Sequence, residues 1–452
     1  MRILFTAHQF FPEHYAGTEI LTLGLVRELK ARGHEPFVLA PRRSVPITDI
    51  RPGEIVDYEF EGIPVRRVGR PEESAEPPYE LDYQNDVMAR RAREYALEIE
   101  PDVVHAMHFQ GLSASVIPVF EELGLPLVYT ATDFWAVCPV VDLRRHDGAM
   151  CEGPELSHCV RCVASRYPNS RMARAMKWVP DAVIGAAGRR SGSLLSSLLR
   201  QPRAVGAIEE RPGHLREKIG RVDRVIAPTR LMRDMLVSNG VGTEDTVEVS
   251  NYGIDTSHMA GGPPNTNVPP PLRIGYMGSM APHKGCDTLI EAFKKLPPEL
   301  DASLAIHGNL ERFRPFVNKL RRLAAGDERI DFAGPFQREQ VGRVFSETDV
   351  LVVPSRWYEN APVVIYESFA AGVPVIATDL GGMSEVVEHG ENGLLFELDD
   401  AEDLARQLRR LAEEPGLIEK LRADIPPVKT VQQSADELEE LYGSLLAKKE
   451  KA

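Results

Sequence analysis

No run in this 452-residue chain approaches 18 apolar residues, so no stretch reads as a membrane-spanning helix. A basic excess is missing too. The net charge is −14 and the pI near 5.5, which argues against a nucleic-acid partner, because such proteins present a broad positive surface. There is no internal repeat and no long low-complexity tract. No D-x-D pair precedes a plausible metal site, so no catalytic metal is expected. The opening MRILFTAHQFF has one Arg and too short an apolar core for a signal peptide; it reads as a buried first strand of a cytoplasmic protein. Cysteine is scarce, with five in all.

What is present organises around Val350 to Phe396, VLVVPSRWYENAPVVIYESFAAGVPVIATDLGGMSEVVEHGENGLLF. Apolar runs alternate with Gly/Pro punctuation as strand, loop, helix, strand, Gly-Gly turn, helix, strand. Glu359 lies in the loop before Pro362, a residue suited to a first helical turn, and Glu367 falls about a turn and a half inside that helix. Helix N-termini attract phosphates, and Gly381-Gly382 offers a second close backbone approach. The pattern fits a phosphorylated polyhydroxyl ligand, with amides for phosphates and carboxylates for hydroxyls. Elsewhere, strands are expected at Ile3–Ala7, Pro36–Pro41, Ile55–Val68, Asp102–Met107, Leu127–Thr132 and Arg273–Met277, with a helix from about Tyr83 to Ile99. Strands alternating with helices imply doubly wound α/β sheets, whose ligand crevice lies beyond the strands' carboxyl ends, where His105, His108, Thr132 and Asp133 fall.

The Glu359/Glu367 pair, with seven residues between and its flanking VLVVPS, ESFAAGVPVIAT, GGMSE and GENGLLF, resembles the donor-binding signature of retaining glycosyltransferases of GT-B fold, family 4 (glycosyl transferases group 1). The resemblance implies two Rossmann-like domains facing across a cleft: 1–260 binding the acceptor, a linker at 261–271, and 272–430 binding the nucleotide sugar. A C-terminal helix in 431–452 would cross back to the first domain. It also implies donor contacts from Gly278, Lys284, Gly308, Gly334, Glu359, Asn360, Ala361, Glu367, Gly381 and Gly382, with Gly17 in the loop after the first strand. Two positions depart from the pattern: Ser279 stands where relatives often carry arginine, and Thr132 where they often carry histidine. The implied catalytic groups are Lys284 for the leaving diphosphate, Glu359 for donor-sugar hydroxyls, and His108 and Asp133 near the donor sugar. For His108 a core role explains the residue equally well. Closure of the domains about the linker would exclude water.

An insert at about 138–220 interrupts the first domain. Its four cysteines, Cys138, Cys151, Cys159 and Cys162, end in C-x-x-C and suit a tetrahedral structural zinc. An iron–sulfur cluster and unligated thiols are the alternatives, and Cys286 is read as a buried small residue. From Arg161 to Arg203 nine basic residues face one acid, Asp181, with Met172, Met176, Trp178, Leu194 and Leu198 interleaved. This is either a basic amphipathic surface for an anionic membrane, which would place the protein peripherally on the inner face of the cytoplasmic membrane, or a solvated face packed on the domain.

The reading that follows is sugar transfer with retention from a UDP or GDP sugar to a carbohydrate or lipid-linked hydroxyl in cell-surface polysaccharide or glycolipid assembly. In the front-face mechanism the resemblance implies, the donor phosphate takes the acceptor's proton. A non-catalytic GT-B subunit of a glycan-assembly complex and a sugar-nucleotide epimerase are the rivals.

Overall fold

The computed structural model describes residues 1–13, 16–42, 53–69, 79–165, 178–188, 204–259 and 271–449. The chain forms two compact units: Met1–Asn251 with Gln432–Ala452, and Tyr252–Val431. Most of the expected linker, 261–270, lies outside the described residues, as do 166–177 and 189–203 of the basic stretch.

The first unit is built on strands β1 (Arg2–Thr6), β2 (Glu35–Arg42), β3 (Ile55–Phe60), β4 (Ile63–Gly69), β5 (Val103–Ala106), β6 (Leu127–Thr130), β7 (Arg224–Ala227) and β8 (Val247–Val249). Their spatial order is β3-β4-β2-β1-β5-β6-β7-β8. β1 carries Ile3, Leu4 and Phe5 fully buried, as a strand covered on both faces must. The single strand expected over Ile55–Val68 is instead the antiparallel hairpin β3–β4. Glu61 (φ 53°) and Gly62 (φ 72°) supply the two successive positive φ values that a tight hairpin turn needs. The helix Asp86–Ile99 starts three residues later than expected, where the Asn85 side chain accepts from the N–H groups of Val87 and Met88.

The second unit has six parallel strands: β9 (Leu272–Met277), β10 (Ala302–His307), β11 (Ile330–Gly334), β12 (Val350–Val353), β13 (Val375–Thr378) and β14 (Gly393–Phe396). Their order is β11-β10-β9-β12-β13-β14. Ile274, Leu289, Phe293, Leu304 and Leu408 form one apolar cluster, and Val341, Phe345, Ile365 and Phe369 form another.

The last helix, Val431–Lys449, packs against the first unit from Gln432 onward. Arg32 binds Asp436 (2.6 Å) and Glu439 (2.7 Å), Ser250 Oγ donates to Glu437 (2.9 Å), and the buried Tyr442 hydroxyl meets His105 Nδ1.

Both sheets place the chain's reversal point at their centre. In the first, β1 has β2 on one side and β5 on the other; in the second, β9 has β10 on one side and β12 on the other. Loops leaving such a strand pair diverge to opposite faces and open a crevice at the carboxyl ends.

Candidate functional site

In the second unit the crevice between β9 and β12 brings together residues 75 apart in sequence. β9 leads through exposed Gly278 and Ser279 to the short 3-10 turn Pro282–Lys284. β12 leads into Pro354–Pro362. Lys284 Nζ contacts Glu359 Oε1 at 2.5 Å, and the same oxygen accepts from Ser355 Oγ and from the Trp357 indole N–H, each at 2.7 Å. Burial disfavours a charge on Glu359, but the Lys284 ammonium and then these hydrogen bonds outweigh it, holding the carboxyl below its usual range. With Oε1 saturated, Oε2 is the oxygen left for a ligand. The Lys284 ammonium also lies 5.0 Å from the centre of the Trp357 ring, and His283 packs on that ring at 4.4 Å.

Two close backbone approaches make this geometry. Gly285 has φ 70°, and a Cβ there would stand 1.8 Å from the Pro354 carbonyl oxygen. Only glycine lets the β9 loop press its lysine against the loop after β12. Gly382 donates its N–H to the Glu359 carbonyl (3.0 Å), and a Cβ there would fall 1.7 Å from the Asn360 oxygen. The Gly381-Gly382 turn is thus laid directly on the Glu359–Asn360 backbone. Arg356 laces the two loops from behind: its N–H donates to His283 O (2.8 Å), and its guanidinium binds Thr288 Oγ1 (2.6 Å) and the buried Asp287 (2.9 Å).

Helix Val363–Ala370 begins at Pro362 with no side-chain cap, and the Pro362 carbonyl accepts the Ile365 N–H (2.9 Å). Glu367, one turn in, pairs with Arg338. Burial pushes the Glu367 carboxyl up from its ordinary value, and Arg338 opposes that shift without cancelling it. Asn360 and Ala361 are buried beneath the turn, and Gly308 and Gly334 stand at the ends of β10 and β11, where Gly308 N–H donates to Gly334 O (3.0 Å).

The crevice of the first unit holds two carboxylate–imidazole pairs, one beyond each central strand. After β5, His108 accepts the Gln110 N–H at Nδ1 (2.8 Å), so its proton sits on Nε2, shared with Asp133 Oδ2 at 2.7 Å. His108 is fully buried with both nitrogens committed; it is the prop, and Asp133, about a quarter exposed, is the outward group. Burial would raise the Asp133 carboxyl, yet His108 and the Trp135 N–H pull it below its ordinary range. After β1, His8 Nε2 stands 3.3 Å from Glu19 Oε1, and the His8 and His108 rings meet at 4.6 Å. Glu19 is buried, which raises its carboxyl against the hydrogen bond it accepts from Ala16 N–H. That bond satisfies the N-cap amide of helix Gly17–Ala31, and Gly17 itself is exposed at the helix start. Thr132 Oγ donates to Met107 O (3.2 Å). His105 is wholly buried between Tyr442 and Thr130, with its pKa lowered to about 3, and belongs to the core.

Sequence reasoning did not single out His8, Glu19, Ser355 or Trp357. The available signal for His8 was its place just past the central strand, and for Ser355 and Trp357 their place within reach of Glu359.

The zinc expectation is not shown by the structure. Cys138, Cys151, Cys159 and Cys162 line one small cavity, yet among the described residues no three His, Cys, Asp or Glu side chains are arranged to hold a metal ion. Cys151 Sγ donates to Gly153 O (3.0 Å), and burial pushes the Cys138, Cys159 and Cys162 thiols up, Cys159 to about 12 and Cys162 to about 11. With thiolate that rare, alkylation of Cys159 and Cys162 by iodoacetamide at neutral pH should run about 10²- to 10³-fold slower in the folded protein than in urea. Mass spectrometry of labelled peptides measures this, and equal rates would contradict buried protonated thiols. Cys286 is buried in the second unit, and burial raises its pKa likewise.

In the basic stretch the described residues are 161–165 and 178–188; they include helix Asp181–Gly188, with Arg161 bound to Asp181 (2.5 Å) and Trp178 86% exposed. The membrane expectation rests mainly on residues outside the described set. No described helix is long and apolar enough to cross a membrane.

Comparison with known proteins gives two family matches: "Glycosyl transferases group 1" over residues 271–414 and "Glycosyl transferase 4-like domain" over residues 16–167. An exopolysaccharide phosphotransferase of Streptomyces coelicolor is 34% identical over 144 residues, 31% of this chain and 15% of that protein. D-inositol 3-phosphate glycosyltransferase of Streptomyces bingchenggensis is 29% identical over 219 residues, 45% of this chain and 48% of its relative. The chain thus spans less than half the length of these curated relatives. Among solved structures, HepE of Anabaena in complex with UDP and glucose superposes with a TM-score of 0.64 at 17% identity, covering 98% of this chain and 99% of that one. That likeness is one of fold.

Proposed function

Because this chain belongs to the group 1 glycosyltransferases and has their GT-B fold, we propose that it moves a sugar from a nucleoside-diphosphate sugar, with UDP or GDP as carrier, to an acceptor hydroxyl. The observation that carries this is the Lys284–Glu359 contact at the switch point of the second sheet, beside the uncapped start of helix Val363–Ala370. A cation and helix-start amides suit a diphosphate; an ionised carboxylate suits sugar hydroxyls; Glu367, one turn further, suits the ribose diol. HepE is known in complex with UDP and glucose, which supports a donor of this class. The relatives named above are an exopolysaccharide phosphotransferase and a glycosyltransferase of an inositol phosphate, which supports a polyhydroxylated acceptor, carbohydrate or lipid-linked, in cell-surface glycan assembly.

In the reaction we propose, the bond from the sugar's anomeric carbon to the diphosphate oxygen breaks and a bond to the acceptor oxygen forms on the same face. The acceptor's proton passes to the departing phosphate oxygen. Lys284 and the loop amides carry the charge that develops there. Glu359 Oε2 holds sugar hydroxyls; in the first unit, Asp133, kept ionised by His108, is an acceptor for a hydroxyl of that unit's own ligand.

Calorimetric titration of UDP, GDP and ADP into the wild type and Glu367→Ala tests this. One nucleotide should bind the wild type and lose most of its affinity in the variant. Absence of binding by all three would overturn the enzymatic reading in favour of a non-catalytic subunit, the role that Ser279 and Thr132 would then explain.

A further inference from the structure

We propose that Arg211 is a positioning residue for Asp133: from a helix of the insert it clamps Trp135, the residue whose backbone N–H orients the Asp133 carboxylate. The inference rests on the reading of Asp133 as the outward group of the first unit. Its test reads the turn that carries Asp133 and not sugar transfer, so the two can fail separately.

Arg211 stands where an apolar residue is expected. In helix Ala204–Ile219 the buried stripe runs through Ala204, Ala207, Ile208, Arg211, Leu215 and Ile219, at spacings of three and four. The Arg211 side chain is 1% exposed, and a guanidinium keeps its charge in such a place. Burying a cation is unfavourable unless its donors are matched. Here Nε and Nη1 have no hydrogen-bond partner among the described residues, and the Asp82 carboxylate is 3.6 Å from Nη2. An apolar side chain in that slot would serve the core at least as well.

What the guanidinium does hold is Trp135. Nη2 donates to the Trp135 carbonyl oxygen. Cζ lies 5.2 Å from the centre of the indole ring, within cation–π reach. Asp82, beside the same guanidinium, accepts the indole N–H at 2.9 Å. Trp135 is wholly buried and is the middle residue of the 3-10 turn Phe134–Ala136, whose N-cap is Asp133. Its own N–H donates to Asp133 Oδ1 at 2.8 Å, while His108 Nε2 meets Oδ2 at 2.7 Å. With one donor on each oxygen, the plane of the carboxylate is set. The turn is short, closed by Val137 and Cys138 N–H on Phe134 O (3.0 and 2.7 Å), so an anchor on its middle residue decides how it is rotated. Through this anchor the insert reaches the crevice of the first unit without touching a ligand.

The test uses the full chain with Arg211→Met and Arg211→Gln. Both side chains stop short of Trp135 O, and the polar glutamine serves if the methionine variant does not fold. Nuclear magnetic resonance gives two readings: hydrogen exchange of the Trp135 N–H, and titration of the Asp133 carboxyl, assigned with Asp133→Asn. In the variants the Trp135 N–H should exchange at least about tenfold faster, while the amides of β6 keep their wild-type rates. Asp133 should titrate at higher pH than in wild type. Burial pushes its carboxyl up, and the Trp135 N–H is one of the groups that hold it down. His108 and His8 also face Asp133, as does Tyr129 from β6, and the variants keep all three. The proposal is overturned if both readings stay at wild type, since Arg211 would then only fill the core. It is equally overturned if Asp133 shifts while the Trp135 N–H does not, because the cation would then act by its field alone. Faster exchange of the β6 amides to the same degree would make Arg211 a general support of the unit and overturn it too.

Discussion

Replacing Lys284 by alanine should cut turnover of the sugar nucleotide by about 10²- to 10³-fold, while donor affinity falls far less. The asymmetry comes from where charge appears. The bound diphosphate is already anionic, but the oxygen that leaves the sugar gains its charge only as the bond breaks, so a cation placed there acts mostly on the barrier. Lys284 has a second task, because its ammonium is the closest partner of the buried Glu359 carboxylate. Without it Glu359 keeps Ser355 and Trp357 as donors, and burial pushes its carboxyl upward. Glu359→Gln, with Lys284 in place, separates the two effects: loss of sugar hydroxyl contacts should raise KM as well as lower kcat. Initial rates at saturating and limiting donor measure both. An unchanged kcat in Lys284→Ala would remove the lysine from the chemistry.

Gly285→Ala should destabilise the second unit by about 2–5 kcal/mol, the sum of a left-handed backbone cost of about 1–2 kcal/mol and overpacking of about 1–3 kcal/mol. No side-chain rotation relieves it, because the atom 1.8 Å from the new methyl is the Pro354 carbonyl oxygen. The strand that feeds the Glu359 loop must shift, or the lysine turn must unwind. Urea titration followed by tryptophan fluorescence, with Trp357 as a reporter in the second unit, reads the loss. An unshifted midpoint would show that the two loops are not packed as described.

Much of the fold was legible because buried parallel strands are continuous apolar runs bounded by glycine and proline. β1, β2, β5, β6 and β9 fell within about two residues of expectation, as strand boundaries generally do. The hairpin β3–β4 escaped because Glu61, an ordinary residue in local terms, takes a positive φ beside Gly62. The Glu359/Glu367 pair was visible through its spacing. Its partners were less so: Arg338 reaches Glu367 from 29 residues away through a sheet crossover, and His8 meets His108 only once β1 and β5 are neighbours. The cysteines were legible only as a cluster. Their spacing suits a metal, but spacing does not fix where sulfurs point, and Cys151 turns its thiol to Gly153.

The placement of helix Val431–Lys449 sets an order of assembly during synthesis. All of Tyr252–Val431 leaves the ribosome before the stretch from Gln432 that completes the first unit, although the rest of that unit, Met1–Asn251, is made earlier. Until those residues emerge, His105 lacks the Tyr442 hydroxyl and Arg32 lacks Asp436 and Glu439. The nascent first unit therefore waits, incomplete, while the later-made unit folds. A chaperone that guards this protein should be found on Met1–Asn251 for longer than on Tyr252–Val431.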